Sequence, residues 1–144
     1  MANSDTPVAV RPARPEDAPQ IAALIEPFVA QQKLLHRSID ELRRLTANGF
    51  VAEVEGHVVG FAAVEIYSQK LSEIQCLAVA AEKQGQGLGK RLIGRCVERA
   101  EELGVLELMA ITATEKLFVG CGFHDALPNQ KTALFILLQK NASD

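Results

Sequence analysis

The stretch Lys83-Gln84-Gly85-Gln86-Gly87-Leu88-Gly89-Lys90-Arg91 constrains the fold more than any other part of the chain. Before it lies Ile74–Ala80, an apolar segment of strand length. After it, Leu88, Leu92, Ile93, Cys96, Val97, Ala100 and Leu103 recur at helical spacing, and Gly104 ends the run. Leu106–Ile111 then reads as another strand, so residues 74–111 form one strand–loop–helix–strand crossover. A loop that opens directly into a helix exposes unpaired N–H groups at the positive end of a dipole, which is an anion site. Its glycines allow positive φ and close backbone approach to a phosphate. From Lys83 to Val97 there is no acid, while Lys83, Lys90, Arg91 and Arg95 are basic. Cations placed against the dipole make sense if an external anion sits there.

The flanking segments fill out the fold. Val8-Ala9-Val10-Arg11 alternates like a short strand. Pro15-Glu16-Asp17 starts a helix, with two carboxylates facing the dipole, and Ile21, Leu24, Ile25 and Phe28 form its apolar stripe. Pro27 is expected to kink or end that helix. Ser38 can cap a second helix, Ile39–Ala47, closed by Asn48-Gly49. Phe50–Val54 and Val58–Ile66 flank Glu55-Gly56-His57 as an antiparallel hairpin. Thr114–Val119 reads as a short helix, Gly120-Cys121-Gly122 as a turn, and Thr132–Leu138 as a final apolar strand. The pattern is α+β (mixed α/β) in a single domain over residues 1–144, with frayed ends at 1–7 and 140–144.

Composition excludes several classes. Apolar residues are 48% and charged residues 23%, ordinary for a globular domain, and no apolar stretch approaches the ~18 residues of a membrane helix. The net charge of −3 argues against a nucleic-acid binder. Cys76, Cys96 and Cys121 are widely spaced in apolar sequence, and His36, His57 and His124 are scattered, so neither a disulfide framework nor a metal site is expected. The N-terminus lacks the basic and apolar regions of a signal peptide, which makes the cytoplasm the expected location.

Spacing separates the known phosphate loops. A Walker loop needs Gly at Gln84 and Ser or Thr at Arg91, and a dinucleotide fingerprint needs Gly at Lys90. The pattern Q/R-x-x-G-x-G/A fits, as Gln84-x-x-Gly87-x-Gly89. In this loop, and in the Gly-Phe corner Glu115-Lys116-Leu117-Phe118-Val119-Gly120-Cys121-Gly122-Phe123, the chain resembles the GNAT superfamily of N-acetyltransferases. That resemblance implies a central mixed sheet of six to seven strands with about four helices, and acetyl-CoA as co-substrate without a metal. It also implies that backbone groups of Leu77, Ala78 and Val79 hold the pantetheine and polarise the thioester. Amides of Gln84, Gly85, Gln86, Gly87, Leu88, Gly89 and Lys90 would hold the pyrophosphate. Glu73 is the implied general base. Phe118 stands beside the cofactor, where many family members carry a tyrosine as general acid.

A narrower stretch, Gln32-Lys33-Leu34-Leu35-His36-Arg37-Ser38 together with Glu73-Ile74-Gln75-Cys76-Leu77-Ala78-Val79, is similar to the acetyltransferase domain of N-acetylglutamate synthase and its short relatives. This likeness makes Arg37, beside Ser38, the anchor for an acceptor α-carboxylate. Tyr67, the only tyrosine, ends the strand before Glu73, within reach of the acceptor. Gln139 and Asn141 depart from the Arg and Ser expected in that family's last strand. The expected partner is a small carboxylate-bearing amine such as glutamate, with no nucleic acid or membrane and a homodimer allowed. An acyl-CoA-binding sensor and a protein or polyamine acetyltransferase are the competing readings.

Overall fold

The computed structural model describes residues 6–125 and 133–138. Strand β1 (Ala9–Pro12) is followed by a 3-10 turn over Pro15–Asp17 and helix α1 (Ala18–Ala30). Helix α2 (Ile39–Leu45) starts at Ser38, whose Oγ accepts from the Glu41 amide at 3.1 Å while Glu41 Oε1 accepts from the Ser38 amide at 3.3 Å. Two orphan donors are thereby satisfied reciprocally, and the helix end becomes sharp. Strands β2 (Gly49–Val54), β3 (His57–Ile66) and β4 (Leu71–Val79) form an antiparallel meander with β1. Helix α3 (Leu88–Glu102) crosses over to β5 (Glu107–Met109), which pairs parallel with β4, and helix α4 (Glu115–Val119) follows. Among the described residues the sheet has five strands in the order β1-β2-β3-β4-β5.

Helices cover both faces. On one, Ile21 and Ile25 of α1 and Leu42 of α2 pack on Val51, Phe61, Cys76 and Ala78. On the other, Leu92, Ile93, Cys96 and Ala100 of α3 pack with Phe118 of α4 on Phe50, Ala62, Val64 and Ile74. Each Leu, Ile or Phe buried in this way contributes about 1.5–3 kcal/mol.

Three expectations change. Helix α1 runs a turn past Pro27, because packing of Ile21 and Ile25 outweighs one lost hydrogen bond. Asp17 does not serve the dipole: Arg11 Nη1 and Nη2 each donate to it at 2.9 Å and the Arg14 amide at 2.7 Å. The expected strand Thr132–Leu138 is not one over 133–138, which has no regular structure, with Leu134 to Leu138 between 75% and 88% exposed. An apolar run marks what can be buried, but a strand also needs a neighbouring edge with free backbone groups. Among the described residues this segment has none, so the sheet has five strands rather than six or seven. Gln139 and Asn141 lie outside the described residues.

Candidate active site

The sheet opens where β4 loses a partner. Its pairing with β5 covers only Leu71–Glu73 against Glu107–Met109, and Ser72 Oγ, fully buried, pins it by donating to the Glu107 carbonyl at 3.0 Å. Beyond Glu73, β4 continues to Val79 with no strand on that side among the described residues. Leu77, Ala78 and Val79 therefore present one backbone edge to a cleft.

A β-bulge reshapes this edge. Gln75 pairs with Ala63 and Ala78 with Phe61, so β4 carries one residue more than β3, and Cys76 takes up the extra length at φ 63. Alternation breaks there: Ile74 faces the α3 core, Cys76 and Ala78 face α1 and α2, and Leu77 returns to the α3 side. Burial pushes the Cys76 thiol up to about 11, with Arg37 acting weakly against it, so Cys76 is packing rather than a nucleophile.

After β4, a 3-10 turn over Ala81–Lys83 leads into the glycine loop. Gln84 folds back, its Nε2 donating to the Val79 carbonyl at 3.0 Å, so its side chain ties the loop to the strand end. Gly85 and Gly87 both have φ 81, and Gly87 is the N-cap of α3. No atom lies within 4 Å of a Cβ built at either, so glycine is required there by backbone conformation and not by packing. Gly89 differs: an added Cβ would come within 3.3 Å of Leu117, so it lets α3 sit close to α4. The Leu88 side chain is buried at 2% exposure, leaving its amide for the loop. Among the described residues, none of the amides from Gly85 to Lys90 donates to a protein acceptor. Consecutive free amides with open space before them suit a diphosphate.

The basic residues divide. Arg91 Nη2 donates to the Val8 carbonyl and Arg95 Nη1 to the Val10 carbonyl, both at 3.2 Å, and the Arg95 guanidinium lies 4.7 Å over the Phe50 ring. Arg99 Nε reaches Asn48 Oδ1 at 2.9 Å. These arginines, four residues apart on α3, fasten it to β1 and to the start of β2. The anion reading of Arg91 and Arg95 is thereby corrected, and Lys83 and Lys90 are left beside the loop.

The candidate acceptor residues are joined by hydrogen bonds. Arg37 Nη2 donates to Gln75 Oε1, Gln75 Nε2 donates to Tyr67 Oη at 3.1 Å, and Tyr67 Oη donates to Glu73 Oε1 at 2.6 Å. Arg37 is held at the mouth of α2 by the Ser38 cap, whose hydroxyl oxygen is used for capping. Burial, followed by the Glu73 carboxylate, pushes the Tyr67 phenol up to about 12, although Gln75 acts the other way. A cavity of about 480 Å³, lined by Ala22, Ala23, Ile25, Glu26, Val29, His36 and Arg37, meets this chain of side chains only at Arg37. Phe118 is 5% exposed and meets Phe123 edge to face at 5.3 Å, so its ring is committed to the core. Gln75 is the member the sequence did not single out. It shares the Glu73 face of β4 by two-residue alternation, but its partners Arg37 and Tyr67 are brought to it by tertiary packing.

Comparison with known proteins identifies the family and the fold. The acetyltransferase (GNAT) family matches residues 16–124. The chain is 36% identical over 121 residues to an amino-acid acetyltransferase of Neisseria meningitidis serogroup A, covering 83% of this chain and 28% of that protein. It thus spans less than a third of the length of that relative. An uncharacterized N-acetyltransferase of Chlorobaculum tepidum is 32% identical over 125 residues, covering 87% of this chain and 79% of its own length. Among solved structures, Rv2747 of Mycobacterium tuberculosis, in complex with CoA, superposes with a TM-score of 0.76 at 29% identity, covering 87% of this chain and 76% of that one. N-acetylglutamate synthase of Neisseria gonorrhoeae, complexed with coenzyme A and N-acetyl-glutamate, gives 0.72 at 35% identity, over 78% of this chain and 27% of that one. The chain belongs to the acetyltransferase (GNAT) family.

Proposed function

We propose that the protein transfers the acetyl group of acetyl-CoA to the α-amino group of a small carboxylate-bearing amino acid such as glutamate. The observation that carries this reading is the continuous side-chain path from Arg37, a carboxylate anchor, to Glu73, a base at the head of the cleft. The named relative bound to N-acetyl-glutamate supports the same substrate class.

In this reading the amides of Gly85 to Lys90 hold the diphosphate. The open edge of Leu77, Ala78 and Val79, whose last carbonyl is taken by Gln84, holds the pantetheine and polarises the thioester carbonyl. Arg37 takes the acceptor carboxylate in a forked contact. Glu73 removes a proton from the acceptor ammonium through water, and the amine attacks the acetyl carbon. The C–N bond forms and the nitrogen gives up its second proton to solvent, while the C–S bond breaks and the CoA thiolate leaves and takes a proton from solvent. Positioning supplies most of the acceleration.

The test is an acceptor screen with acetyl-CoA that follows free thiol, beginning with glutamate, aspartate, arginine and polyamines. Thiol release with glutamate or a close analogue is expected. A thermal shift with CoA and no release with any amine would instead mark an acyl-CoA sensor. In Glu73→Gln, kcat should fall by roughly 10²–10⁴ with CoA binding intact.

A further inference from the structure

Chemistry fixes the direction of the hydrogen-bonded path. A guanidinium only donates and a carboxylate only accepts. Gln75 must therefore turn its oxygen to Arg37 and its amide to Tyr67, and the single phenolic proton goes to Glu73 Oε1. Gln75, paired with Ala63 as Glu73 is with Glu65, lies two residues along β4 from Glu73 and on the same face of the sheet. Among the described residues, one guanidinium N–H of Arg37 is engaged, so a forked edge is left for a carboxylate.

We propose that Gln75 and Tyr67 are positioning residues that couple carboxylate capture at Arg37 to the orientation of Glu73. The proposal rests on the roles given above to Arg37 and Glu73. With Arg37 unliganded, its guanidinium can swing, and each link competes with water, since Tyr67 is 51% exposed. A bound carboxylate holds the guanidinium still. Gln75 is then held by Arg37, the phenol by Gln75, and Glu73 Oε1 by the phenol. Glu73 Oε2 is left to serve the amine. Because the phenol stays protonated at ordinary pH, it remains a donor throughout.

The chain has one tyrosine and no tryptophan, so tyrosine emission reports on this path alone. The experiment compares wild type, Gln75→Leu, Gln75→Glu, Tyr67→Phe and the double variant Gln75→Leu/Tyr67→Phe. Kinetics use L-glutamate and its α-amide as acceptors, and emission is titrated with L-glutamate. Thermal shift with CoA checks folding and should match wild type in every variant. Gln75→Leu should lower kcat roughly tenfold, the order of a misplaced base, and abolish the emission response to glutamate. Gln75→Glu can accept from Arg37 but cannot donate to Tyr67, and should behave like Gln75→Leu. Tyr67→Phe should lose a similar factor, and the double variant no more than either single. The α-amide should lose kcat as well as affinity in wild type, but only affinity in Gln75→Leu. Wild-type kcat in Gln75→Leu and Gln75→Glu, a retained emission response, or additive losses would overturn the proposal. Absence of turnover with every amino acid in the wild type would overturn both this and the acceptor reading, whereas a failure confined to the variants removes the coupling alone.

Discussion

Gly87 at the cap of α3 and Gly94 within the helix allow the loop to be tested against its own helix. Gly87 caps α3 at φ 81, and a Cβ there would touch nothing within 4 Å. Any cost of Gly87→Ala is therefore backbone strain, about 1–2 kcal/mol for an L residue in the left-handed region. In the free protein the loop can relax to relieve it, but a bound diphosphate needs the original conformation. The affinity for CoA should fall by the same energy, roughly 5–30-fold at 1.4 kcal/mol per factor of ten. Gly94 lies inside α3 at ordinary helical φ, and its Cβ would also meet nothing within 4 Å. Gly94→Ala should therefore stabilise the fold by about 0.5–1 kcal/mol, a rise of roughly 2–5 °C in Tm, with CoA affinity unchanged. Calorimetric titration with CoA and thermal melts read both. If Gly87→Ala bound CoA like wild type, or Gly94→Ala weakened it equally, the argument that loop conformation creates the anion site would fail.

The remaining predictions concern single contacts. Arg37→Lys keeps the charge but loses the fork, so KM for the acceptor should rise roughly 10–100-fold in steady-state kinetics, with CoA binding unchanged. Asp17 is held below its ordinary carboxylate range, first by hydrogen bonds from Arg11. Its folded pKa is depressed, so its stabilisation is present above the unfolded value near 3.8 and is lost as pH falls through the lower folded value. Asp17→Asn should cost about 1.5–3 kcal/mol at neutral pH and flatten the acid limb of a stability-versus-pH curve measured by urea melts. Tyr67, raised to about 12, should show no tyrosinate absorbance in an alkaline titration until well above pH 10, and Glu73→Gln should bring that onset down. Ser38→Ala removes the α2 cap and should cost about 1 kcal/mol in a thermal melt.

What could be read from the sequence was local. Gly85, Gly87 and the periodic apolar residues of α3 mark a loop and helix by their own conformational preferences, and Ser38 with Glu41 marks the start of α2. Glu73 and Arg37 came from resemblance and Tyr67 from its place before Glu73, and the three share one hydrogen-bonded path. The reading failed where the deciding contact is distant. Arg91 and Arg95 looked like phosphate ligands because their carbonyl partners lie more than eighty residues away in sequence. Gln75 went unnoticed because its partners Arg37 and Tyr67 are set by tertiary packing, and residues 133–138 looked like a strand because a strand's partner cannot be seen in its own composition.

The arginines that tie α3 to the first strand also bear on the order of assembly. During synthesis, Val8 and Val10 emerge 83 and 85 residues before the side chains that grip their carbonyls. At about 5–20 residues per second, that is a wait of several seconds. The leading strand can join the meander early, but it is clamped only once α3 has been made. Loop closure over that distance is slow relative to hairpin formation. Replacing Arg91 and Arg95 should therefore leave the meander intact while releasing its amino-terminal end to amide exchange.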